Sequence, residues 1–202
     1  MESIIFFDVD TQYDFMYKNG NLYVPDAESI IPNLKKLTQF AKKKNISVVA
    51  SIDHYVMNSL KIASKTFPLD CMNGIKVHKK IPETRLDNAT IVPNIKLDNK
   101  KIKQLKKENK LLIEKQEHNA FSHPNLKLIL KGTKRAYVYG VATDYCVKAA
   151  ILELRNMKIE TYVIKDAIKP VLKKNENKDL ALFRKKGAKF LTTQQLLKRK
   201  GL

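Results

Sequence analysis

Ala136-Tyr137-Val138-Tyr139-Gly140-Val141-Ala142-Thr143-Asp144-Tyr145-Cys146 is the stretch on which the fold turns. It opens on an apolar run with the look of a buried strand, and Val147 to Met157 after it reads as a helix. A cysteine at such a junction meets unpaired backbone N–H groups and the positive end of a helix dipole, both of which favour thiolate over thiol. A lone cysteine is equally at home as a small buried hydrophobe. The choice between the two depends on what else reaches the same place.

Working outward, the same unit recurs. Ser3 to Asp10 is an almost continuous apolar run that ends in acid, as expected of a strand buried on both faces. Asp26 is placed to cap a helix from about Ala27 to Lys44, with Ile30, Leu34, Leu37 and Phe40-Ala41 as its apolar stripe and Pro32 early in it. Ile46 to Ser51 is a second buried strand, running to Asp53-His54. Tyr55 to Pro93 is irregular and long, the mark of a functional loop region. Then follow a lysine-faced helix (Leu97 to Glu108), a strand (Lys110 to Glu114) and a short helix (Asn125 to Leu130). Beyond the central stretch come a strand (Glu160 to Ile164), a helix (Glu176 to Lys186), a last strand (Lys189 to Leu191) and a terminal helix (Gln194 to Lys198). Strands alternating with helices predict an α/β fold, a parallel sheet covered on both faces, with residues 1–202 as one domain. Ligands in such sheets bind beyond the carboxyl ends of the strands. That rule brings Asp10, Asp53, Lys115 and the Gly140–Cys146 turn to one rim.

Composition narrows the classes of function. A chain of 202 residues supports one sizeable core, and 44% apolar residues argue against global disorder. No apolar run is long enough to span a membrane, and the N-terminus lacks the basic start of a signal peptide. Two cysteines are too few for a disulfide scaffold, so a reducing, cytoplasmic setting is expected, with Cys71 a structural thiol. The formal charge of +19 rests on 34 Lys and only 5 Arg. Base and phosphate forks favour Arg, so the lysines read as solvated helix faces and no specific nucleic-acid partner is expected.

A thiol attacking a carbonyl needs a base, an oxyanion site and an acid for the leaving group. Asp10 suits both proton roles, Lys115 can hold Asp10 and Cys146 ionised, and the amides of Ala142 and Cys146 can receive the oxyanion. His118 and His123, in the loop after the Lys115 strand, read as polar loop residues.

The motifs Asp10-Thr11-Gln12-Tyr13-Asp14-Phe15 and Gly20-Asn21-Leu22-Tyr23-Val24-Pro25-Asp26, with Lys115 and Gly140-Val141-Ala142-Thr143-Asp144-Tyr145-Cys146, resemble the isochorismatase-like cysteine hydrolases, which include nicotinamidases. The resemblance spans nearly the whole chain. It implies a three-layer αβα architecture with a six-stranded parallel sheet, a triad of Asp10, Lys115 and Cys146, and a cis peptide at Val141–Ala142. It implies an aromatic pocket at Phe15, Phe67 and Tyr145, a small-molecule amide as substrate, and assembly as a dimer or tetramer. Nicotinamidases also hold a divalent metal through an Asp-x-His pair and a further His before a Cys. Here only Asp53 matches: Tyr55 and Asp70 stand at the His positions, and His54 is one place out of register. A site built from Asp53 and Asp70 would be all-oxygen, harder and weaker than a zinc site. The competing readings are a vinyl-ether hydrolase of the isochorismatase kind and a catalytically silent, basic, polyanion-binding scaffold. Asp10, Lys115 and Cys146 together weigh against both.

Overall fold

The computed structural model describes residues 4–54, 79–199 and 201–202. Among these residues there are seven strands: β1 (Ile4–Val9), β2 (Ser47–Asp53), β3 (Thr90–Val92), β4 (Lys110–Lys115), β5 (Arg135–Val141), β6 (Glu160–Lys169) and β7 (Lys189–Leu191). They form one sheet in the order β3-β4-β2-β1-β5-β6-β7, and every pairing is parallel. That is one strand more than the six expected. The addition is β3, an edge strand whose three residues are too few to show an alternation, paired with Leu111 to Ile113.

Among the described residues seven α-helices accompany the sheet: α1 (Tyr13–Met16), α2 (Ile31–Lys44), α3 (Asn99–Leu105), α4 (Leu126–Leu130), α5 (Cys146–Asn156), α6 (Glu176–Lys185) and α7 (Thr193–Leu197). Alternation along the strands divides the core in two. Phe7, Val9, Val49, Ile113 and Val138 pack with Val147, Ala150, Ile151 and Leu154 of α5 on one face. Phe6, Val48, Tyr137 and Tyr139 pack with Leu34, Leu37 and Ala41 of α2 and Leu196 of α7 on the other. Both faces are buried, which is why β1 and β2 read as unbroken apolar runs. Each fully covered Leu or Phe contributes about 1.5–3 kcal/mol.

Two boundaries move for physical reasons. Asp26 does not cap α2: it sits in the left-handed region at φ 61°, takes a hydrogen bond from Ser29 Oγ and pairs with Lys169. A 3-10 turn (Ala27–Ile30) intervenes, and α2 starts at Ile31 with Pro32 in its first turn. Strand β6 runs five residues past the expected Ile164, hidden in the sequence by the polar pair Lys165-Asp166 and by a register shift against β5.

The β2-β1-β5-β6 order places a topological switch between β1 and β5. The chain leaves β1 towards α2 and leaves β5 directly into α5, on opposite faces. A crevice opens at such a point beyond the strand ends.

Candidate active site

Strand alternation alone would put Asp10 on the wrong face. Along β1, Phe6 and Asp8 point to the α2 side, and Phe7 and Val9 to the α5 side, so an extended Asp10 would follow Asp8. Instead Asp10 takes φ 48°, its N–H bonds to the Ser51 carbonyl at 3.2 Å, and its carboxylate swings to the α5 side. There Ser51 Oγ donates to Asp10 Oδ1 at 2.7 Å. Lys115, last residue of β4, lies on the same side by alternation from Ile113.

Lys115 is completely buried, and its ammonium is the centre of the site. Nζ lies 3.0 Å from Asp10 Oδ2, donates to the Glu117 carbonyl at 3.1 Å and reaches Cys146 Sγ at 3.7 Å. It also forms a close ion pair with Asp53 Oδ1. The contact to Asp10 is an ion pair whose alignment falls short of a hydrogen bond. The three residues expected to act together are thus brought together, and Asp53 joins them.

Cys146 is 7% exposed and opens α5, so its amide belongs to the donors a helix start leaves without internal partners. The Val141–Ala142 peptide is cis, as expected. Gly140 sits at φ 114°, and a Cβ there would lie 2.0 Å from the Val9 carbonyl oxygen, so β5 approaches β1 in a way only glycine permits. Asp144 has a holding role: its carboxylate accepts from the N–H groups of Val171 and Leu172 at 2.8 and 2.9 Å.

The electrostatics of the thiol pull in opposite directions. Burial pushes the Cys146 thiol well above its ordinary range; Lys115 opposes this, and Asp10 and Asp53 reinforce it. Burial thus works against the thiolate, while Lys115 and the helix start work for it. Burial alone would lower Lys115, yet Asp10, Asp53 and the sulfur raise it well above the usual lysine value. Burial pushes Asp53 up to about 6, against the pull of Lys115 and with a further push from Asp10.

Tyr145 lies at the rim, 43% exposed, with the His118 ring 5.6 Å away at 51°. Burial and Lys115 lower the His118 pKa, so the ring is neutral at pH 7. His123 is structural: its Nδ1 accepts from the Asn125 N–H at 3.2 Å, which assigns the proton to Nε2, 3.1 Å from the Pro93 carbonyl. Phe15 is half-buried against the α2-side core. Phe67, Asp70 and Cys71 lie outside the described residues.

The described residues do not fit a transition-metal site. The Asp53 carboxylate is taken by the Lys115 ammonium, and His54 Nδ1 faces Glu114 Oε1 at 3.0 Å. Among the described residues no group of three or more His, Cys, Asp or Glu is arranged so that it could hold a metal ion. Alternation explains His54, which as neighbour of Asp53 must point elsewhere. What sequence reasoning missed is the support: Ser51 on Asp10, Lys115 on Asp53, and Gln12, whose side chain donates to the Asp53 carbonyl at 3.1 Å and accepts from its N–H at 2.7 Å. The first and last need β1 beside β2, the second needs β2 beside β4, and no local pattern encodes either register.

Among solved structures, the chain is similar to the pyrazinamidase of Pyrococcus horikoshii in complex with zinc, at 25% identity over 95% of this chain and 99% of that one, TM-score 0.74. A nicotinamidase/pyrazinamidase from Bacillus subtilis matches at 20% identity over 93% and 98%, TM-score 0.76. A cysteine hydrolase from Pseudomonas syringae matches at 14% identity over 96% and 91%, TM-score 0.77. No curated protein matches the chain. The model of the isochorismatase domain matches residues 5–195, and the chain belongs to that family of hydrolases.

Proposed function

We propose that this protein cleaves the C–N bond of a small amide through an acyl-thioester on Cys146. The observation that carries the reading is one buried ammonium shared by a carboxylate at 3.0 Å and a sulfur at 3.7 Å. Asp10 takes the thiol proton as the sulfur attacks the carbonyl carbon, and Lys115 holds the developing thiolate. The oxyanion is received by the amides of Ala142 and Cys146. Asp10 returns its proton to the departing nitrogen, the C–N bond breaks, and ammonia leaves. A water then gives its proton to Asp10 and attacks the thioester; the acid is released and the proton returns to sulfur. Tyr145, with His118 beside it, supplies a flat wall for a small planar substrate. The similarity to nicotinamidases and pyrazinamidases supports aromatic carboxamides as the first substrates to try. No step is assigned to a metal, because Asp53 is committed to Lys115.

The test is ammonia release from nicotinamide, pyrazinamide and a panel of other small amides. Wild type is expected to turn over at least one of them and Cys146→Ala none, with unchanged circular dichroism. Equal turnover by Cys146→Ala refutes the mechanism.

A further inference from the structure

On the α2 side of β1, behind the catalytic face, lies a second buried polar cluster that the chemistry above does not use. Asp8, Thr11, Lys80 and Thr84 are 1%, 0%, 7% and 0% exposed. Lys80 Nζ lies 2.9 Å from Asp8 Oδ2 and donates to Thr11 Oγ1 at 2.7 Å. Thr11 Oγ1 donates to Asp8 Oδ1 at 3.0 Å and lies 2.7 Å from Thr84 Oγ1. A hydroxyl has one proton and two lone pairs. Since the Thr11 proton goes to Asp8, the Thr84 hydroxyl is the donor of the last bond, and Thr11 is saturated: one bond given, two received.

Such a cluster is an expensive way to fill a core, because apolar residues of similar volume do it as well. Its outlet is Asp10. Thr11 follows Asp10 directly, and the chain at Thr11 and Gln12 is pinned from both sides. The Ile81 N–H bonds to the Thr11 carbonyl at 3.0 Å, Tyr13 N–H to the Lys79 carbonyl at 3.1 Å, and Gln12 pairs with Lys80 as an isolated antiparallel bridge. Gln12 meanwhile clamps the backbone of Asp53. Asp10 is thereby held at φ 48°, a conformation that a residue with a Cβ seldom adopts and that alone turns its carboxylate to Ser51, Lys115 and the thiol.

We propose that Thr11 is a positioning residue: its hydroxyl is the hub through which the buried Asp8–Lys80 pair and Thr84 fix the turn that aims Asp10 at Cys146. The proposal rests on the reading of Asp10 as the base for that thiol. Its test therefore includes a readout that needs no substrate. Thr11→Val keeps the shape and removes the hydroxyl, and Thr11→Ser restores it. For each, the rate of alkylation of Cys146 by iodoacetamide at fixed pH is read on the peptide that carries it, alongside kcat and KM for an amide that wild type turns over. Misplacing a reacting group by an ångström costs up to about a hundredfold, so Thr11→Val is expected to lower alkylation and kcat by about tenfold with KM within about twofold. Thr11→Ser is expected within about twofold of wild type in both. A purely structural hydroxyl would move the unfolding midpoint and leave these rates alone. Thr11→Val with wild-type alkylation and kcat, or Thr11→Ser as impaired as Thr11→Val, overturns the proposal. Should Thr11→Val not fold, Thr84→Val, which removes one arm of the same hub, decides by the same criteria. A wild type that turns over no amide counts against the amidase reading, and the alkylation rates then decide this proposal by themselves.

Discussion

Lys115 does two things at once: it neutralises two buried carboxylates and stands within reach of the nucleophile. Lys115→Met therefore separates from Cys146→Ala in kind. It leaves Asp10 and Asp53 buried without a partner, so the expected loss is about 3–5 kcal/mol of stability as well as all turnover, measured by urea unfolding and ammonia release. Gly140→Ala meets the Val9 carbonyl and a positive φ together. It is expected to cost more than about 2 kcal/mol, seen as a fall in the urea midpoint. At this scale the sequence was readable wherever a reactive residue ended an apolar run, which holds for Asp10, Lys115 and the Cys146 turn. It was unreadable where function needs two strands in register. The resemblance implies a metal ligand at Asp53, and the partner that Asp53 has in space is Lys115, from another strand. Thr11 and Lys80 meet across 69 positions, and nothing local announces that.

Elements are tied at their ends by a few charged side chains, and Glu160 at the start of β6 shows how. It accepts from Arg135 Nε of β5 at 2.6 Å, Lys189 Nζ of β7 at 2.7 Å and Tyr162 OH at 2.9 Å. The bonds from Lys189 and Arg135 outweigh its slight burial and hold its carboxyl down to about 2, against an ordinary 4.5. A depressed carboxyl contributes stability that is complete above about pH 4.5 and is lost as pH falls towards about 2. The side chain is 31% exposed, so solvent screening reduces the contribution to about 1 kcal/mol. Glu160→Gln is expected to lower stability by that amount at pH 7 and by much less at pH 2.5, as followed by urea melts at both. The long elements were legible from their periodicity, α2 and α5 above all. Strand β3 was not, because three residues carry no period, and the far half of β6 was masked by its polar pair.

For the whole molecule, the parallel sheet is legible in the alternation of strands and helices, and the rim rule groups four strand ends, whereas the strand order is not written in any local pattern. Charge acts at this scale too. With +19 spread over lysines, the protein is expected to bind heparin and mixed-sequence DNA alike, with affinity falling steeply between 50 and 200 mM salt, roughly as the counterion-release law requires. A titration by fluorescence anisotropy at several salt concentrations checks this; marked preference for one sequence would contradict it. No helix among the described residues is long and apolar enough to cross a membrane. The account as a whole stands on covalent chemistry at one sulfur. Its most direct test is to mix the protein with an amide it hydrolyses, quench in acid within the first turnover, and weigh the peptides. The account predicts a mass increment equal to the acyl group on the peptide containing Cys146, absent in Cys146→Ala and sharply reduced in Asp10→Asn. Ammonia release with no acyl adduct at Cys146, or with the adduct on another residue, would contradict it.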